Sequence, residues 1–189
     1  MTRPLKVFWL SLLGFFGLHA NAAFAGITQV LCIPGVTGES VVPGATGCID
    51  ILAWSWGQSL ALSYGGGGTT VGKVNLQDLS LTKYIDSASD DLFKFIVTGS
   101  PIKTTVELRN YYDCGACATP TPFLTIHLQS VYVTSQSTGG SGGEDKLTEN
   151  ISLTFDAISY CYRPVVAGDL GPAQCIAYSR SGNKTITPF

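Results

Sequence analysis

Polar and apolar residues alternate along most of this chain with the two-residue period of a β-strand. The clearest case is Ile151, Leu153, Phe155 and Ala157, which alternate with Ser152, Thr154 and Asp156. One side of such a segment meets a core and the other meets water. Residues 29–33 are a short apolar run closed by Pro34 and Gly35, and residues 49–56 are β-branched and aromatic between Gly47 and Gly57. Both predict strands. Trp54 and Trp56, two apart, share one strand face, with Ser55 on the other. Residues 74–85 alternate with one slip of phase, Leu76 followed by Leu79 and Leu81, which predicts a bulge. Segments 104–111 and 123–134 flank a turn-rich stretch and predict a hairpin. One helix is expected: Ser89 caps it, Asp90 and Asp91 lie in its first turn, Leu92, Phe93, Phe95 and Ile96 form its apolar side, and Gly99 and Pro101 end it. Many strands and one short helix give a mainly β domain, a barrel or sandwich. Two glycine-rich stretches, 64–68 and 137–143, are expected to be loops with no core of their own.

The first 25 residues lie outside this pattern. Arg3 and Lys6 precede an apolar run from Val7 to Leu18, and Ala23-Phe24-Ala25 offers a small-residue cleavage site. That order is the one a cleavable secretory signal has, and the apolar run is shorter than the roughly 20 residues a spanning helix needs. Residues 1–25 are therefore expected to be a signal peptide, with a domain over 26–164 and a C-terminal extension over 165–189. The expected destination is the periplasm or the medium. The chain has 11 Lys and Arg against 13 Asp and Glu. Loss of Arg3 and Lys6 makes the balance more acidic, which leaves no electrostatic footprint for nucleic acid. No stable membrane insertion is expected either.

All six cysteines (Cys32, Cys48, Cys114, Cys117, Cys161 and Cys175) follow the cleavage site. An even count behind an export signal reads as a disulfide framework, which six cysteines can complete in about 15 ways. Cys32 closes one predicted strand and Cys48 opens the next, across a connector rich in proline and glycine. Cys114 and Cys117 sit in one turn. Cys161 ends a strand, and Gly168, Gly171 and Pro172 separate it from Cys175. The favoured pairing is 32–48, 114–117 and 161–175 within one subunit. The competing arrangement bonds Cys175 to a neighbouring subunit.

Catalytic motifs are near misses. Gly67-x4-Gly72-Lys73 approaches a phosphate-binding loop, but Val74 stands where a hydroxyl would hold magnesium, and a strand pattern follows. Cys114-Gly-Ala-Cys117 lacks the helix start that activates a redox thiol and has no nearby histidine for zinc. His127, alone after cleavage, lies mid-strand between Ile126 and Leu128 and is expected on a sheet surface. No serine lies in a Gly-x-Ser-x-Gly setting. The expectation is a protein without catalytic residues, cofactor or metal.

Three stretches carry a resemblance. They are Leu52-Ala-Trp-Ser-Trp-Gly57, Gly72-Lys-Val-Asn-Leu-Gln-Asp-Leu-Ser-Leu-Thr-Lys-Tyr84, and the block from Ser137 to Phe155, Ser-Thr-Gly-Gly-Ser-Gly-Gly-Glu-Asp-Lys-Leu-Thr-Glu-Asn-Ile-Ser-Leu-Thr-Phe. In this order they resemble the Hcp (hemolysin-coregulated protein) family of type VI secretion, from about Val36 to Pro164. The resemblance implies a closed barrel of two antiparallel sheets with one short helix and a long extended loop used between subunits. It implies hexameric rings stacked into a tube that carries effectors and meets secretion-tip proteins, with Ser55 facing the lumen. Gly65, Gly66, Gly67 and Gly68, and Gly139, Gly140, Gly142 and Gly143, are the subunit-contact candidates. The signal peptide and the cysteines depart from the family pattern. An exported, disulfide-stabilised ring or filament independent of type VI secretion is therefore a second reading, and a monomeric secreted binding module or toxin a third.

Overall fold

The computed structural model describes residues 26–112, 120–143, 145–166 and 169–189. The strands are β1 (Ile27–Cys32), β2 (Ile49–Asp50), β3 (Ala53–Ser55), β4 (Gln58–Gly65), β5 (Gly68–Leu76) and β6 (Leu79–Tyr84). Helix α1 (Ser89–Thr98) follows, then β7 (Val106–Tyr112), β8 (Leu124–Gln129), β9 (Tyr132–Gly139), β10 (Thr148–Thr154) and β11 (Ala157–Tyr162). Two short strands, β12 (Val165–Val166) and β13 (Asp169–Leu170), precede β14 (Gln174–Ser179) and β15 (Lys184–Ile186). Every strand pairing is antiparallel.

A 7-stranded sheet in the order β15-β14-β11-β8-β7-β1-β2 faces a 4-stranded sheet in the order β3-β6-β10-β9. The ladders describe two open sheets, each with two edges, rather than one continuous barrel wall. The chain crosses between the sheets at Ile51 and Leu52, whose N–H groups donate to Gln29 in the large sheet and Thr82 in the small one. Inward residues fill the space between: Leu79 and Leu81 from β6, Ile151 and Leu153 from β10, Leu108, Ile126 and Leu128 from the large sheet, and Leu92 from α1. This is the predicted alternation, with the apolar set on one face, although the run from Ile151 to Ala157 is not one strand: β10 ends at Thr154 in the small sheet and β11 starts at Ala157 in the large one. A second small core of Val30, Ala45 and Tyr111 lies on the other side of β1, where the Cys32–Cys48 disulfide ties down the connector.

Several predicted elements are divided by tertiary contacts. The run 49–56 breaks at Ile51 because its two halves join different sheets. Residues 74–85 are not one bulged strand; Gln77 and Asp78 separate β5 from β6, and only β6 enters the sandwich. Residues 123–134 likewise split at Ser130, whose φ of 53° turns the chain from β8 in one sheet to β9 in the other. The predicted hairpin survives as the β7–β8 pair. Ser89 is not the helix cap. Ala88 holds that position, and the Ser89 hydroxyl is taken by the Glu149 carboxylate, to which it donates at 2.6 Å. Gly99 ends the helix as expected, at φ 59°, in the left-handed conformation glycine tolerates. Residues read as an extension supply β14 and β15, which continue the large sheet beyond β11. No helix among the described residues is long and apolar enough to cross a membrane.

Candidate assembly surface

Leaving the sandwich is a two-stranded ribbon, β4 paired with β5 and with no other strand among the described residues. Its register places Leu60 opposite Val74, Leu62 opposite Val71 and Tyr64 opposite Thr69. Leu60, Leu62, Tyr64, Val71 and Val74 therefore share one face, which starts at buried Leu76. That face is the core face carried outward. Exposure is 48 % at Leu60, 62 % at Val71 and 79 % at Tyr64, so it loses cover toward the tip. An isolated hairpin is marginally stable in water at best; here Val74 packs against the main core, but Leu60, Leu62, Val71 and Tyr64 beyond it are exposed. The opposite side carries Ser59, Ser63, Thr70 and Lys73.

The glycines expected to make subunit contacts fall into two groups. Gly65, Gly66, Gly67 and Gly68 form the ribbon tip rather than a free loop: Gly65 pairs with Gly68, and Gly66 and Gly67 make the turn. Among the described residues, no atom lies within 4 Å of where a side chain on any of the four would begin, so none of them packs on the tip. Gly139 ends β9, and Gly140, Gly142 and Gly143 turn toward β10, with Leu147 packed where a Gly140 side chain would stand. The near-miss phosphate loop from Gly67 to Val74 lies in this ribbon and leads into a strand, not a helix.

Ser55 is exposed on β3, while Trp54 and Trp56 point the other way and pack against the core. The indole N–H of Trp54 donates to Asn110 Oδ1 at 2.8 Å. Strand register then adds what the sequence reading missed. Ser55 is paired with Ser80, Ser80 with Ser152, and Ser152 with Ser135. Four serines thus form a row across all four strands of the small sheet. Beside it runs Ala53, Thr82, Asn150 and Ser137, in which the Thr82 hydroxyl donates to Asn150 Oδ1 at 2.8 Å. These two rows carry hydroxyls, an amide and a methyl, and no charge. Alternation marks each serine as outward-facing, but only the register aligns them.

Beneath the same sheet lies a buried polar cluster that the sequence reading also missed. Lys83 and Glu149 side chains are 1 % and 0 % exposed, with Nζ 2.6 Å from Oε1. The ammonium also reaches Asp86 Oδ1 at 2.7 Å and donates to the Ser89 hydroxyl at 3.1 Å. Gln136 Nε2 donates to Glu149 Oε2 at 2.8 Å. Burial pushes the Glu149 carboxyl up, but hydrogen bonds from Lys83, Ser89 and Gln136 outweigh it and hold the group below its ordinary value. The cluster joins α1 to β6, β9 and β10, so it fixes the sheet that carries the serine row.

Of the cysteine pairs, 32–48 and 161–175 are bonded within the chain. β1 and β2 do pair, which brings the first two together. Cys161 and Cys175 are direct register partners on β11 and β14, so Cys175 is bonded in its own subunit. Cys114 and Cys117 lie outside the described residues. His127 lies on β8 as expected but is only partly exposed, because Phe189 folds over it and its backbone oxygen meets the ring nitrogen Nδ1.

Comparison with known proteins agrees with this geometry. Residues 30–162 match the family model described as type VI secretion system effector, Hcp. Protein hcp1 of Pseudomonas aeruginosa is 42% identical over 152 residues, covering 78% of this chain and 92% of the relative. A solved structure of a type six secretion system protein superposes with a TM-score of 0.78 at 25% identity, over 85% of this chain and 100% of the other. Hcp1 from Salmonella typhimurium does so with a TM-score of 0.69 at 28% identity, over 85% and 99%.

Proposed function

This chain belongs to the Hcp family of type VI secretion, and from that premise we propose that it is a non-enzymatic structural protein. Its copies close into hexameric rings, the rings stack into a tube, and the lumen holds effector proteins on their way to the secretion tip. The observation that carries this reading is the ribbon of β4 and β5, whose apolar face runs past the body of the subunit and, beyond Val74, lies exposed. A protein that functioned alone would expose a long apolar strand pair as an aggregation site. In a ring the same face is covered by the next copy.

On this reading the two open sheets are the wall of the family's barrel, with residues 26–164 as its body and 165–189 as an addition whose β14 and β15 lengthen the large sheet. Ser55 and its row face the lumen. A neutral hydroxyl surface suits a passage for varied cargo, because it holds no charge that a passing protein must match or desolvate. The glycines at 65–68 and 139–143 let neighbouring backbone approach closely.

A second reading is favoured by the cysteines. Two disulfides in one small subunit fit an oxidising compartment. With removal of residues 1–25, they support an exported Hcp-like ring or filament that assembles outside the inner membrane. Negative-stain electron microscopy of the mature protein, with and without reductant, tests both. Rings or tubes are expected. Rings that survive reductant favour the tube reading and rings lost on reduction the exported one. A monodisperse monomer in both conditions refutes both and leaves a secreted binding module.

A further inference from the structure

We propose that the Cys161–Cys175 disulfide is a thiol–disulfide exchange site, opened by a dithiol reductant that attacks at Cys175, while the Cys32–Cys48 disulfide of the same subunit stays closed. The two bonds close loops of similar length but sit in different surroundings. Cys175 is exposed on β14, and Cys161, its register partner on β11, is half-buried. Ile158 and Tyr160 turn toward the core, so Ser159 and Cys161, which alternate with them, lie on the outer face of the large sheet. Both cysteines line a cavity of about 360 Å³ on that face. Exposed disulfides are the labile ones, because the attacking thiolate must reach a sulfur.

Attack at Cys175 makes Cys161 the leaving thiolate, and the site is furnished to receive it. Ser159 Oγ lies 3.8 Å from Cys161 Sγ, placed to donate its hydroxyl proton to the sulfur. Arg163 lines the same cavity and brings positive charge, and no acidic side chain among the described residues lines it. A thiolate stabilised in this way leaves faster. In the first step the incoming thiolate bonds to Cys175 Sγ as the Cys161–Cys175 bond breaks, and the electron pair of that bond stays on Cys161 Sγ. The reductant's second thiol gives its proton to water and attacks the reductant's own sulfur in the mixed disulfide, which releases Cys175 as a thiolate. Water returns protons to both cysteines. Two electrons have passed from the dithiol to the cysteines, and the reductant leaves as a disulfide.

The other bond lacks both features. Cys32 and Cys48 are half-buried and pack against the small core of Val30, Ala45 and Tyr111. The cavity they line carries Glu107, whose carboxylate repels an arriving thiolate and holds the neighbouring Arg109 at 2.6 Å, so that cation is already matched. Opening Cys161–Cys175 also has a local consequence. The bond closes the segment that carries β12 and β13, which pair with each other and with no other strand among the described residues. Reduction therefore loosens that short ribbon, while the β11–β14 ladder holds the sheet together.

The test treats the mature, oxidised protein with limiting dithiothreitol at neutral pH, alkylates free thiols at timed points and reads each cysteine by mass spectrometry. Cys161 and Cys175 should open at least about tenfold faster than Cys32 and Cys48. Equal rates, or the reverse order, overturn the proposal. The attacked sulfur is read with a thioredoxin-type protein whose second active-site cysteine is changed to serine. Its adduct is expected on Cys175, and an adduct on Cys161, on the other pair or on neither overturns the assignment. Ser159→Ala should open about threefold more slowly at an unchanged melting temperature, and an unchanged rate removes Ser159 from the role of receiving the leaving thiolate. Amide hydrogen exchange across residues 163–174 should rise on selective reduction; no rise means that the bond does not restrain the β12–β13 ribbon.

Discussion

Glu149→Gln is the sharpest perturbation of the fold beneath the candidate lumen face. It removes the charge that Lys83 meets 2.6 Å away in a site where both side chains are at most 1 % exposed. At an effective dielectric of about 20, that attraction is about 6 kcal/mol before desolvation of the two ions is set against it. Breaking a buried pair from one side costs about 3–5 kcal/mol, because the remaining charge stays buried. Asp86 still offers a countercharge at 2.7 Å, so the low end, about 3 kcal/mol, is expected. For a domain of this size each kcal/mol is worth about 2–4 °C, giving a fall of about 6–12 °C. Replacing both partners, Lys83→Met with Glu149→Leu, should restore part of the loss, since only Asp86, at 9 % exposure, is then left without its countercharge. The assay is thermal melting of the oxidised mature protein by circular dichroism. A shift under about 2 °C, or a double variant as unstable as the single one, would refute the argument. The pair also sets an acid limit. The folded Glu149 carboxyl titrates below its ordinary value of 4.5, so the folded state binds fewer protons than the unfolded one near that pH. Its contribution is complete above that value and is lost as pH falls toward the depressed one. Parent stability should therefore drop on acidification below about pH 4.5 more steeply than that of the double variant.

Each described disulfide closes a loop of similar length, with sequence separations of 16 and 14, so Cys32→Ser with Cys48→Ser, or Cys161→Ser with Cys175→Ser, should each cost about 3 kcal/mol in urea unfolding. A loss below about 1 kcal/mol from either pair would mean that the connector and the β11–β14 ladder hold without it. Ser55→Gln should leave folding and assembly unchanged while weakening retention of a cargo protein in co-purification; failure to fold would place the side chain in the core instead. Mass spectrometry of protein exported by a native-like host should find a mature N-terminus at or near Gly26, and an intact Met1 on soluble periplasmic material would end the export reading.

Alternation alone determined most of the strands and the sense of their faces. It put Trp54 and Trp56 on one strand face and Ser55 on the other, and glycine's tolerance of the left-handed region put Gly99 at the helix end, because a two-residue period and a left-handed glycine are local properties. It also brought Cys32 near Cys48, given that adjacent strands pair. What local pattern could not supply was register and sheet membership. Residues 74–85 read as one strand until β6 joins the small sheet and β5 leaves it, and nothing near Ser130 announces that the chain changes sheets there. Lys83 and Glu149 follow the inward phase of Leu81 and Ile151, yet a charged residue in a strand reads as solvated until its partner, 66 residues away, is known. The same partner decides the helix start, since the carboxylate that holds Lys83 also holds the Ser89 hydroxyl and leaves the cap to Ala88. The row of four serines exists only because β3, β6, β10 and β9 align in one register. A strand fixes which way each side chain points, but the ladder between strands fixes what stands beside it.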